Sequence, residues 1–375
     1  MEILLGTQAL EPRAYLVTVA EHLERLGHEV HVFAAEPGPA PEELRVVGVE
    51  RGLPLAPGVI YAQDAYASLL LADLYPLTPQ VFALHDDRDE LWLPPQLPAV
   101  IARVVVFDDR SGERARAASL VHEVVRLRRP VDTDRFSPNT PLSGRPGTAL
   151  LQLEHLSEFR RGVVQRACAD AGIKSGADLV IGRGRPILEA MAAGRAAYVY
   201  GEDGGDGWVT SQRYELLEAD GFSGRAEPTA TDYESLRRDL EAYDPAMGPA
   251  NRELALAHDA RMHAQELVRI FETLAPRRDP VDAPLRELAR LVRMETAAAR
   301  RARDAVADAY EARVRAEKLE RELAHASGRN ESLAARVAEL EETLREAEAR
   351  EAEAATQKPR GVRGILGREG KGADG

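Results

Sequence analysis

Residues 182–189, Gly-Arg-Gly-Arg-Pro-Ile-Leu-Glu, carry the groups best suited to chemistry in this chain of 375 residues. The apolar run 179–181 before them predicts a buried strand, and Pro186 opens a helical pattern of about two turns that Gly194 closes. A strand that passes through a glycine turn into a helix leaves main-chain N–H groups unpaired at the positive end of the helix dipole. Gly182 and Gly184 let a ligand approach that main chain, and Arg185 offers a planar fork for phosphate oxygens. Glu189, one turn into the helix, can accept hydrogen bonds from paired sugar hydroxyls. Together they suit a nucleotide sugar. An ordinary tight turn of a parallel sheet, with Glu189 a solvated helix residue, accounts for the same residues. His85 ends the apolar run VFAL at the carboxyl end of a predicted strand, where ligands of parallel sheets bind; a purely structural histidine fits that position too.

The elements that position these groups follow from apolar periodicity. Strands are expected at 2–6, 28–35, 44–49, 59–62, 81–85, 104–108 and 123–127, with helices at 13–26, 65–74 and 111–121. Their alternation predicts an α/β fold with a doubly wound parallel sheet. Residues 130–138, PVDTDRFSP, read as an extended linker that Phe136 pins between two lobes. Beyond it come a strand at 149–153, a helix at 157–171, the segment 177–200, and helices at 210–219, 231–242 and 249–274. The glycine-rich 201–208, GEDGGDGW, reads as a loop facing the cleft and anchored by Trp208, since it lacks the regular oxygen series of a calcium loop. Asp86 and Asp87 read as a turn.

The run ADLVIGRGRPILEAMAAGRAAYVYG resembles the donor-binding segment of GT-B glycosyltransferases, family 4 in particular, and PVDTDRFSP is similar to the interdomain segment of that family. The resemblance implies two Rossmann-like domains and transfer of a sugar from a nucleotide-sugar donor to an acceptor that the sequence does not identify. It implies that Glu189 binds the donor ribose, that His85 lies near the transferred sugar, and that Arg160, early in its helix, faces the donor diphosphate beside Gly182, Gly184 and Arg185. The nucleotide sugar enters as substrate, with no resident cofactor and no metal. An earlier glutamate usual in the family is replaced by Ile181, the loop after the first strand lacks the usual glycine pair, and the second lobe is short by two or three strand-helix units. A transferase-like scaffold without turnover therefore stands as the alternative; a sugar-nucleotide epimerase shares the fold and the donor carboxylate but gives no reason for a long extension.

The expected boundaries are 1–130 for the first domain, 131–141 for the linker, 142–280 for the donor domain, 281–357 for a coiled coil and 358–375 for a disordered tail. With Leu319 at d, the a and d positions run Leu323, Ala326, Asn330, Leu333, Val337, Leu340, Leu344 and Ala347, which predicts a homodimer through 319–351. Leu285, Leu288, Val292, Ala299 and Val306 keep a similar spacing in another register, so a stutter or break is expected at 309–319. Gly328 in HASGRN admits a turn between antiparallel helices instead. In the tail, Ile365 and Leu366 admit a weak membrane-surface contact.

Composition narrows the classes. Lys and Arg number 49 against 62 Asp and Glu, a net charge of −13, which argues against a nucleic-acid partner. Cys168 is the single cysteine, so no internal disulfide or thiolate metal site forms, and a reducing compartment fits. No run of 18 apolar residues occurs, so a cytoplasmic protein is expected. His258 and His263 read as solvated helix residues, not ligands.

Overall fold

The computed structural model describes the chain except residues 11–13, 39–43, 49–51, 86–89, 98–99, 119–122, 139–140, 143, 154–155, 203, 228–231 and 357–375. The turn expected at Asp86 and Asp87 and the tail with Ile365 and Leu366 lie outside the described residues. The first lobe comprises β1 (Glu2–Ala9), α1 (Ala14–Arg25), β2 (Glu29–Glu36), β3 (Val46–Val47), β4 (Val59–Ala62), α2 (Ala65–Leu74), β5 (Gln80–Leu84), β6 (Arg103–Val106), α3 (Asp109–Ala118) and β7 (Glu123–Arg126). Its seven strands are ordered β3-β2-β1-β4-β5-β6-β7 and are all parallel. Strands covered by helices on both faces must be apolar throughout, and β4 and β5 are buried at every position. The strand expected at 44–49 shrinks to the two residues of β3 at the sheet edge.

The second lobe comprises β8 (Thr148–Leu151), α4 (Glu158–Asp170), β9 (Lys174–Ser175), β10 (Leu179–Gly182), α5 (Arg185–Ala192), β11 (Ala196–Gly201), β12 (Gly204–Trp208), α6 (Tyr214–Ala219) and α7 (Tyr233–Glu241). Its sheet runs β12-β11-β10-β8-β9, parallel apart from β12, which pairs antiparallel to β11. The loop expected at 201–208 is thus largely an edge strand. It pairs along β11 from Tyr198 to Gly201, and the buried carboxylate of Asp206 accepts the N–H groups of Ala226 and Glu227, with burial pushing its pKa up. The short strand β9 went unread because two polar residues carry no periodicity.

The chain closes through α8 (Met247–Ala255), α9 (Ala260–Glu272) and α10 (Leu285–Thr356). The helix expected over 249–274 is broken at Asp259, whose backbone is extended (φ −54°, ψ 129°) and whose carboxylate caps α9 by accepting from Arg261 and Met262 N–H. Beyond the break, α9 buries Ala264, Leu267 and Phe271 in the first-lobe core with Leu16, Val19 and Leu23 of α1. The compact body extends to Ala297. Leu285 and Ala289 at the start of α10 are buried with Leu69, Phe82 and Val104, and Arg286 pairs with Asp73 at 2.7 Å. The first residues of the series in the other register, Leu285, Leu288 and Val292, therefore pack on the body. From there α10 is one continuous helix through Gly328, so neither a break at 309–319 nor a turn in HASGRN occurs. Leu319, Leu323, Leu333, Val337, Leu340 and Leu344 are exposed along it.

Candidate functional site

Two stretches of chain join the lobes, and they run side by side. Val131 N–H donates to the His258 carbonyl at 2.8 Å and Ala260 N–H to the Val131 carbonyl at 3.0 Å, a parallel bridge reinforced by the Thr133 hydroxyl on the Asp259 carboxylate. The Arg252 guanidinium donates to the carbonyls of Thr133, Phe136 and Ala192. The linker is thereby fixed to the second lobe, and Phe136 packs with Ile187, Met191 and Val199 of that lobe instead of lying between the two.

His258 and His263, expected in solvent, are both buried at this crossing. Nδ1 of His258 faces the Arg129 carbonyl at 2.8 Å and so donates, which leaves Nε2 to accept from the Tyr214 hydroxyl at 2.8 Å. Nδ1 of His263 likewise faces the Arg128 carbonyl, and its Nε2 meets the Tyr15 hydroxyl at 3.0 Å. Burial lowers the pKa of His258 to about 4 and of His263 to about 3, so both are neutral near pH 7. A helical pattern cannot show burial contributed by residues 44 to 248 positions away.

Above the crossing, at the carboxyl ends of the strands, lies a cleft of about 180 Å³ lined by His85, Asp108, Ser111, Arg129, Arg183, Gly184, Arg185, Asp220, Gly221, Ser223 and Arg225. Among the described residues four arginines face two aspartates there, and both aspartates bind backbone N–H groups. Asp108 caps α3 by accepting the Ser111 N–H at 2.7 Å, and Asp220 accepts the N–H groups of Ser223 and Arg225 together with the Ser223 hydroxyl. The lobes meet at the edge of the cleft: Arg126 of β7 donates to the buried Glu218 of α6 at 2.6 Å, and a side chain on Gly221 would stand 3.2 Å from the Asp108 Cβ.

His85, Gly184 and Arg185 are gathered in this cleft; Gly182, Glu189 and Arg160 do not line it. The His85 ring lies stacked 5.0 Å from Phe107 and edge-on to Tyr15, and its Nε2 is 2.6 Å from Gln63 Oε1. Gly184, at φ 63° and ψ −129°, has open space where a Cβ would stand, so its backbone conformation is what calls for glycine. Gly182 is a glycine for another reason: a Cβ there would lie 2.9 Å from the Gln152 Cβ. Arg185 Nε donates to Glu189 at 2.6 Å while its Nη2 reaches Thr18 of the first lobe at 3.4 Å, so the helix carboxylate is held by the helix arginine. Arg160 sits half-buried in the first turn of α4 with its N–H directed at the capping Ser157 hydroxyl. The turn is also less open than its sequence implied, because the Gly184 N–H is spent on the Phe222 carbonyl at 2.7 Å.

Arg129, Asp108, Ser111 and the segment 220–225 were missed as site residues, and Arg183 was seen only as part of a turn. A basic run ending at Arg129 just before Pro130, past a strand, was an available signal. The Arg129 guanidinium lies 5.1 Å from the centre of the Phe107 ring. Segment 220–225 gave no such signal.

No family model matches the chain, and no curated protein matches it. Among solved structures it is similar to the Anabaena protein HepE in complex with UDP, at 14% identity over 73% of this chain and 100% of that one, with a TM-score of 0.53. The complex of HepE with UDP-glucose matches at 15% identity over the same shares, with a TM-score of 0.52. At this identity the likeness is one of fold: two Rossmann-type lobes in the GT-B arrangement, to which this chain adds the long helix α10.

Proposed function

We propose that the cleft binds the diphosphate of a nucleotide sugar and that the protein is a glycosyltransferase of GT-B type, related to family 4, acting on an acceptor that remains to be found. The observation that carries this reading is the convergence of Arg129, Arg183, Arg185 and Arg225 at the start of α5, between the two lobes. Arginine forks match phosphate oxygens, and a site at the carboxyl ends of strands is where parallel sheets receive ligands. That HepE was solved with UDP and with UDP-glucose supports the same ligand class. In the mechanism, the arginines stabilise the leaving diphosphate as charge builds on it, His85 stands at the reacting end, and Glu189 takes the ribose once it swings from Arg185. Arg160 approaches the diphosphate from α4. The donor is consumed as substrate, and no resident cofactor is invoked.

A second reading, a lobed scaffold that binds without turnover, is favoured by two observations. The cleft of about 180 Å³ is smaller than ordinary ligand pockets of roughly 300–1,000 Å³, and Glu189 already has a partner. In either reading the protein works in the cytoplasm, and the exposed leucines of α10 pair two copies through 319–351. No helix among the described residues is long and apolar enough to cross a membrane.

Donor hydrolysis and transfer assayed with a panel of nucleotide sugars separate the two readings. Turnover that falls at least tenfold in Glu189→Ala supports the transferase; binding without turnover supports the scaffold; and no binding of any nucleotide sugar rejects both. Sedimentation of the full chain against residues 1–297 tests the pairing, with a dimer expected only when α10 is complete.

A further inference from the structure

The amino ends of β1 and β2, at the opposite end of the first sheet from the cleft, bring Glu2, Glu29 and His31 together. The parallel register sets Glu2 beside Glu29 and Leu4 beside His31, and residues two apart on a strand share a face, so the three side chains project together. Nε2 of His31 lies 3.3 Å from Oε1 of Glu2 and 3.4 Å from Oε1 of Glu29. The His31 side chain is only 2% exposed, yet among the described residues neither ring nitrogen meets hydrogen-bond geometry with a partner. A buried imidazole in that condition is unusual, because buried polar atoms nearly always find a hydrogen bond.

Tetrahedral metal geometry accounts for the spacing. Nitrogen and oxygen ligands at about 2.0–2.2 Å from a tetrahedral zinc stand about 3.3–3.6 Å from one another, too far for a good hydrogen bond and close to the separations seen. All three candidate ligand atoms lie within 4.8 Å of each other. One imidazole with two carboxylates is a donor set that zinc accepts, and it leaves a fourth position for water. The guanidinium of Arg45, 58% exposed, donates to the same Glu29 oxygen at 2.9 Å, so metal binding requires it to move to the second carboxylate oxygen.

We propose that Glu2, Glu29 and His31 form a divalent-metal site of the zinc type that ties β1 to β2 at the end of the sheet away from the cleft. The site shares no residue with the cleft. The test uses the full chain, freed of metal by a chelator and then titrated calorimetrically with Zn²⁺ alone. One equivalent should bind and raise the melting temperature. Both effects should vanish in His31→Ala and in the double variant Glu2→Gln, Glu29→Gln, which keeps the buried imidazole in place should the first variant fail to fold. Failure of the wild type to take up Zn²⁺, or full uptake by a folded double variant, overturns the proposal.

Discussion

Two turns of the second lobe meet at the cleft, and both hold a residue at positive φ. In the turn from β10 to α5 that residue is Gly184, with empty space beside it; in the turn after α6 Gly221 and Gly224 are joined by a non-glycine, Phe222, at φ 56° and 1% exposed. The hydrogen bond from Gly184 N–H to the Phe222 carbonyl ties one turn to the other. The first conformation is permitted by the absence of a side chain. The second is imposed on an ordinary residue by packing, because the Phe222 ring fills a core with Tyr214, Leu217 and Ile187. Positive φ costs a bulky residue free energy that only surrounding contacts can offset.

The most severe way to break this comparison is Phe222→Ala. Alanine keeps the strained φ but loses the ring, so stability should fall by about 3–5 kcal/mol in urea unfolding. A loss below about 1 kcal/mol would show that the ring does not hold the turn.

Acid reaches the same turn through the crossing of the two connecting stretches, since the His258 ring stands 6.2 Å from that of Phe222 and accepts from Tyr214. Burial holds the folded pKa of His258 at about 4 against 6.5 in the unfolded chain. Between those values the unfolded chain takes up a proton that the folded chain refuses. The part of the stability that rests on His258 is therefore intact above about pH 6.5, declines as the pH falls, and levels off below about 4, a change of about 3 kcal/mol. Unfolding measured across that range should show a shallower decline in His258→Gln; an unchanged decline would remove His258 from the account.

Gly184→Ala should be milder. Nothing crowds the added methyl, so only backbone strain remains, about 1–3 kcal/mol, together with weaker anion binding. Asp220→Asn should be milder still. It keeps one acceptor for the N–H groups of Ser223 and Arg225 and weakens their bonds by about 1 kcal/mol, visible as faster amide exchange at those residues.

The same contrast explains what could be read from the chain. The alternation of strands and helices was legible because each element carries its own period: α1, α2, α5 and α7 fall close to where apolar spacing places them. Gly184 and Arg185 were legible because the turn, helix start and arginine are contiguous. Glu189 was recognised as an acceptor for sugar hydroxyls, while its pairing with Arg185 follows from opposite charges one helix turn apart. Arg129 and Arg225, 96 positions apart, meet only through the packing of two lobes, and no local pattern encodes that. His258 and His263 misled for the same reason: the tyrosines that bury them, Tyr214 and Tyr15, lie 44 and 248 positions away. At the start of α10, Leu285, Leu288 and Val292 serve the body's own core, which their spacing along one helix could not show.

The central claim is that the arginines of this cleft take a diphosphate. Calorimetric titration of UDP into the wild type and into the double variant Arg183→Ala, Arg225→Ala, at low and moderate salt, tests it most directly. The account predicts binding to the wild type that weakens with salt, and affinity at least tenfold lower in the variant. Equal affinity in the two proteins, or no binding by the wild type at low salt, would contradict it.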